Sequence, residues 1–174
     1  MKNVSVKDLV LMAFYVALFM VLDTFVNTMQ ILQMPEGGSL GVSTLALLMA
    51  SYHLGWKKGL IVSVVSVFAQ FVTGPMYTPD LIGFLLDYFI AFSVYGLASI
   101  FPNFGFVFTG VFITNLIRFI SSTVSGVIVY DTTLAGSIIY QATYMVPTMI
   151  MGMIVLPLLY KALEPQIKKM NMRK

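Results

Sequence analysis

The chain has no cysteine and a single histidine, His53. Without thiols there is neither a disulfide framework nor a thiolate metal site, and the redox compartment stays unread. One imidazole argues against a metal cluster, so neither metal nor cofactor is expected. Charge is scarce too: 10% of the 174 residues are charged and 59% are hydrophobic, with mean hydropathy +0.91. A soluble domain of this length cannot hide that much apolar surface, which leaves the bilayer as solvent. The sequence contains no GxxxxGK[ST] loop, no HExxH and no GxSxG, so the signals of an enzyme are missing. Its net charge of +3 forms no basic stripe with interleaved aromatics, which excludes a nucleic-acid partner.

What is present is a succession of apolar runs. A helix needs roughly 20 mainly apolar residues to cross the hydrocarbon. Six runs between polar or Pro/Gly breaks predict helices near Asp8–Asn27, Leu40–Gly55, Lys58–Gly74, Asp80–Ile100, Gly105–Tyr130 and Leu134–Leu163. The second is short for a crossing and reads as tilted or partly interfacial. All connections are brief, so the expectation is an all-α membrane protein: six transmembrane helices in one compact bundle, a single domain over residues 1–174. Lipid tolerates no open sheet edge, and the runs lack the alternation of a transmembrane barrel. The basic, apolar N-terminus runs too long for a signal peptide and has no small-x-small cleavage site, so a retained first helix is expected.

Six crossings place both termini on one side. Lys2, Lys7, Lys57, Lys58, Lys161, Lys168, Lys169, Arg173 and Lys174 all fall on that side, whereas the opposite loops carry Glu36, Asp80 and Asp131. The positive-inside rule makes both termini cytoplasmic.

Asp87 stands inside the apolar stretch GFLLDYFIAF. At about 1.5 Å rise per residue it sits roughly 10 Å below the outer start of its helix. A carboxylate at such depth costs about 2.5–3.5 kcal/mol unless a partner or a wet cavity receives it. Two readings stay open: a structural pair with Arg118 of the fifth helix, or a ligand site. Tyr88, Tyr77, Tyr130, Tyr140 and Tyr144 gather near the same outer end. An acid among rings suits a flat organic cation, each ring adding about 0.5–2 kcal/mol; the alternative for the tyrosines is interface anchoring. A pair of carboxylates for intramembrane proteolysis is not expected, because Asp23 is placed near the outer end of the first helix, away from Asp87.

The connection Met34-Pro35-Glu36-Gly37-Gly38-Ser39 follows the first helix, and its glycines permit positive φ. It reads either as an ordinary turn or as a flap over an outward cavity. Ala13 and Ala17 form a small-xxx-small pair that lets another helix approach, or simply pack inside the bundle.

These segments, MPEGGS, YHLGWKKG, LLDYFIAFSVYGLASIF, RFISSTVSG and YQATYMVP, occur in an order and at separations that resemble the thiamine-specific S component of energy-coupling factor (ECF) vitamin importers. The likeness runs over nearly the whole chain. It implies a six-helix substrate-binding subunit of a bacterial cell membrane, working with a transmembrane coupling subunit and two ATPases that supply the energy. It further implies that Asp87 and Tyr88 bind the vitamin, that Met34–Ser39 closes over it, and that Ala13 and Ala17 dock on the coupling subunit. Ser122 stands where the family has histidine, and Tyr140-Gln141 where it has Tyr-Asn. A ring and an amide at the ligand are thereby changed, so Ser122 and Gln141 are candidate substrate contacts of altered chemistry. The vitamin implied is thiamine, with its hydroxymethylpyrimidine precursor and vitamin B6 as rivals. Two other classes stay open: a stand-alone proton-coupled carrier titrating Asp87, and an assembly subunit with no small ligand.

Overall fold

The computed structural model describes residues 5–73, 76–78 and 80–172. Lys2, Arg173 and Lys174 of the charge count, and Gly74, Pro75 and Pro79 of the third connection, lie outside the described residues.

Helix α1 (Val6–Thr28) begins with a reciprocal cap: the Ser5 hydroxyl accepts from Asp8 N and the Asp8 carboxylate accepts from Ser5 N, both at 3.2 Å. Asp8 is buried and also pairs with Lys58 Nζ at 2.9 Å, which ties the start of α1 to the start of α3 (Trp56–Thr73). Between them lies α2 (Thr44–Leu54). It lies inside the bundle. Every residue from Thr44 to Ser51 is buried, because a helix of Leu, Ala, Met, Ser and Thr has no polar face to turn outward and is enclosed by α1, α3, the fourth helix and the last.

The fourth helix, α4 (Leu81–Ile100), is capped by Asp80, whose carboxylate accepts from Gly83 N at 2.7 Å. Its hydrogen bonding then loosens to i→i+5 across Phe84–Ile90, returns to α over Ala91–Ser93, and tightens to i→i+3 over Val94–Ile100. The tight end is held from outside. Ser51 Oγ donates to Gly96 O at 2.7 Å and accepts from Ser99 N at 3.0 Å. At Gly96 the α3 backbone comes so close that a Cβ would lie 2.5 Å from Leu60 Cα.

After α4 the chain departs from the expected helix start at Gly105. A two-residue hairpin, β1 (Asn103–Phe104) against β2 (Val107–Phe108), turns at Gly105 with φ +62°. Helix α5 (Thr109–Ile128) follows. Helix α6 (Leu134–Met172) runs past the expected end at Leu163, and Glu164 and Lys168 pair at 2.9 Å on its exposed last turns. It contains Pro147, Pro157 and Pro165, each of which removes a backbone N–H. Helices α1, α4, α5 and α6 are long and apolar enough to cross a membrane, and α2 is a shorter apolar helix. The six helices pack as one bundle whose core includes Phe19, Leu47, Leu48, Tyr95, Val111 and Leu156, all essentially without exposure. Many other apolar side chains, such as Phe14, Phe71 and Ile139, face outward, as lipid contact requires.

Two outcomes follow. Gly96→Val drives a side chain into the α3 backbone and lowers stability by about 3 kcal/mol, seen as a depressed unfolding temperature in detergent; an unchanged midpoint refutes the close crossing. Because the chain has no cysteine, a thiol introduced at exposed Leu134 reacts with an impermeant maleimide in intact cells. One at Lys168 reacts only after permeabilisation, and the reverse pattern overturns the orientation.

Candidate functional site

The ends of α1, α3, α4, α5 and α6 remote from the chain termini leave a cavity of about 470 Å³, within the size range of small-molecule sites. Its roof is the connection between α1 and α2. Gln30 and Leu32 take positive φ there, as do Gly37 (+91°) and Gly38 (+94°). Met34 N donates to Gly38 O at 2.8 Å and Gly37 N to Met34 O at 3.1 Å, closing a turn. The glycines are required for space as well: a Cβ at Gly37 would lie 2.8 Å from Tyr77 Cβ, and one at Gly38 2.6 Å from Tyr144 Cζ. Tyr140 staples the roof to α6, its hydroxyl accepting from Glu36 N at 3.0 Å and donating to Gly37 O at 2.8 Å. Farther along, Gly41 N donates to Thr148 Oγ1 at 2.8 Å.

All eight residues singled out as substrate contacts, Asp87, Tyr88, Ser122, Tyr130, Tyr140, Gln141, Tyr144 and Tyr77, line this cavity. Of the roof segment, Glu36, Gly37, Gly38 and Ser39 line it; Met34 and Pro35 do not, and act by shaping the turn. Asp87 lies in the loosened part of α4, a geometry common where helices carry function. Ser125 Oγ donates to its Oδ2 at 2.5 Å. Tyr88 continues a row of rings from Phe84 to Phe92, stacked at 6.4 and 6.3 Å. Its hydroxyl accepts from Tyr77 N at 2.8 Å, and the Tyr130 hydroxyl donates to Tyr77 O, so these tyrosines join into one wall of the cavity.

Arg118 does not pair with Asp87: among the described residues no ion pair joins them. The guanidinium lies over the Phe92 ring at 4.5 Å and donates from Nη1 to the Tyr95 hydroxyl at 3.4 Å, while Nε has no partner. Tyr95 passes the bond on to Asn115 Oδ1 at 2.8 Å. Arg118 is buried and lines the cavity floor. Gln141 is largely occupied, its Nε2 donating to Ser122 O at 3.2 Å and its Oε1 accepting from the Tyr144 hydroxyl.

Several lining residues were not anticipated: Asp23, Asn27, Gln70 and Phe92. Asp23 in particular corrects the expectation that it stands apart from Asp87, for both face the same cavity. The available signal was spacing, since Asp23 and Asn27 stand at i and i+4 near the end of the first apolar run, on one stripe of the helix. Ala13 and Ala17 lie elsewhere, exposed on the outer face of α1 beside Val10, Phe14 and Val21. They are not packed inside the bundle.

Comparison with known proteins matches residues 9–168 to the family described as thiamine transporter protein (Thia_YuaJ). The thiamine transporter ThiT of Bacillus subtilis (strain 168) is 29% identical over 150 residues, covering 74% of this chain and 78% of that protein. No solved structure matches significantly. With the family match spanning nearly the whole bundle, cavity and roof included, the chain belongs to the thiamine transporter family of multi-pass membrane proteins.

Proposed function

We propose that this chain is the substrate-binding S component of an ECF-type importer, that its ligand is thiamine, and that residues 1–174 act as a single binding domain. The observation that carries the proposal is Asp87: a carboxylate within the membrane-spanning bundle that lines the cavity and has a hydroxyl, not a cation, as its hydrogen-bond partner. A charge so placed is stabilised when a cationic or hydrogen-bonding guest completes it. Thiamine offers an aminopyrimidine, whose ring nitrogen and amino group present adjacent polar atoms to a carboxyl, and a positively charged thiazolium.

Each candidate then has a physical role. Asp87 holds the aminopyrimidine. Tyr88, Tyr144 and Phe92 supply flat apolar surface, and Tyr130 and Tyr77 close the side facing the outer loops. Ser122 and Gln141, in place of the family's histidine and asparagine, leave the ring fewer free hydrogen-bonding groups, because Gln141 is held by Ser122 O and Tyr144. The Met34–Ser39 segment covers the ligand, stapled by Tyr140. The chain has no nucleotide-binding loop, so ATP hydrolysis belongs to partner subunits. The exposed Ala13–Ala17 face, where small side chains expose backbone to close approach, is the proposed contact for the coupling subunit.

Calorimetric titration of the purified protein with thiamine, hydroxymethylpyrimidine and pyridoxine tests the assignment: thiamine binds tightest, and absence of saturable thiamine binding refutes it. Asp87→Asn weakens thiamine about 10- to 100-fold, the loss of a charge-assisted hydrogen bond of about 1.5–3 kcal/mol; unchanged affinity removes Asp87 from the site. Tyr140→Phe deletes both staple bonds. It raises the thiamine dissociation rate about 5- to 30-fold with little change in association, on about 1–2 kcal/mol for the pair, and an unaltered rate means that the roof is not held by Tyr140.

A further inference from the structure

The cavity contains a second carboxylate, on a different helix from Asp87, and its surroundings differ. Asp87 belongs to α4 and is bonded by Ser125 of α5. Asp23 belongs to α1, where Oδ1 accepts from Ser43 Oγ at 3.0 Å and Oδ2 from Asn27 Nδ2 at 3.2 Å. Asn27 in turn accepts from Ser39 Oγ at 3.3 Å. Both bonds that orient Asp23 therefore lead to the roof: Ser39 lies at its end, and Ser43 immediately precedes α2 where the roof connection stops. Each carboxylate oxygen keeps a lone-pair direction free, since a carboxylate accepts about four bonds in all.

Two further observations point to an occupant. Besides exposed Glu36 on the roof, the cavity is lined by two carboxylates, Asp23 and Asp87, against one guanidinium, Arg118, so the enclosed groups carry one formal negative charge more than positive. Gln70 of α3 lines the same cavity, is only 7% exposed, and its Nε2 has no hydrogen-bond partner. A buried amide donor left without an acceptor costs about 1–3 kcal/mol, which an acceptor on a guest recovers.

We infer that Asp23 is a second ligand-contacting carboxylate, the seat of the fixed positive charge of the vitamin, and that it selects a monocation over neutral heterocycles of similar size. This rests on the proposed binding of thiamine and divides its recognition in two. Asp87 takes the hydrogen-bonding pyrimidine; Asp23 takes the thiazolium. A monocation balances the enclosed charge, whereas the neutral pyrimidine alcohol leaves it unbalanced. The same bonds connect cation to roof: a thiazolium against Asp23 favours the arrangement in which Asn27 and Ser43 hold the carboxylate, and thus in which Ser39 and the α2 start are drawn in.

The test compares thiamine with its neutral fragment, 4-amino-5-hydroxymethyl-2-methylpyrimidine, by titration of the whole protein. Asp23→Asn weakens thiamine about 10- to 100-fold and changes fragment affinity less than twofold, whereas Asp87→Asn weakens both. Asp23→Glu, which keeps the charge, recovers part of the thiamine affinity. Asp23→Ser, read by the same two titrations, answers the question should the amide variant not purify. Equal loss of both ligands on Asp23→Asn overturns the inference, because Asp23 then acts through the fold; so does undiminished thiamine affinity. If the unaltered protein binds neither ligand, it is the thiamine assignment itself that fails, a pattern distinct from both.

Discussion

A carboxylate kept inside the bilayer without a cationic partner constrains everything around it. Asp87 accepts from a neutral hydroxyl, Ser125, and the buried cation that lines the cavity, Arg118, spends its face on Phe92 and one of its donors on Tyr95. Had the guanidinium swung to Asp87, the pair would have neutralised itself and needed no cavity. The Phe92 face and the Tyr95–Asn115 relay instead fix Arg118 at the floor, where it contributes charge without cancelling Asp87. Such a site stores unsatisfied polarity, and a guest that satisfies it is bound with more than the apolar area of its rings.

The rest of the fold holds this arrangement still. The loosened stretch of α4 places Asp87 and Tyr88 toward the cavity, and the tightened stretch below it is clamped by Ser51 and by the Gly96–Leu60 approach. A change of helical hydrogen bonding within one crossing is costly in isolation. Here the cost is offset by a fully enclosed α2, whose Ser51 satisfies the backbone where α4 is tightest. The half of the bundle around α2 and the tightened end of α4 thus behaves as a packed scaffold and the other half as a lined chamber, a division that suits the proposed substrate-binding role.

The six helices, their order and the grouping of Asp87 with five tyrosines were legible because apolar length and a lone intramembrane charge are strong signals. The fate of α2 was not, since an 11-residue apolar helix reads as marginal until its neighbours are known to surround it. Gly105 looked like a helix start because the residues after it are apolar, but its positive φ makes a hairpin turn. Asp23 was misplaced for a related reason: depth along a helix says how far a residue lies from the surface, not which way it faces. Only the packing of α1 against the roof and α2 turns Asp23 and Asn27 inward.

The roof and the binding groups form one hydrogen-bonded system, and this bears on how occupancy can be sensed. Tyr140 reaches the roof from α6 at Glu36 and Gly37, and Asn27 and Ser43 link Asp23 to its far end, so each side of the cavity is attached to the same connection. Gly37 and Gly38 permit the left-handed backbone that lets the roof descend onto Tyr77 and Tyr144, where any side chain would collide. A guest bridging Asp87 and Asp23 would therefore bias the roof through its own charge and not through bulk alone. The exposed Ala13–Ala17 face lies on the same helix as Asp23, further toward its N-terminal end, so the proposed coupling-subunit contact holds the helix on which one half of the proposed recognition is built.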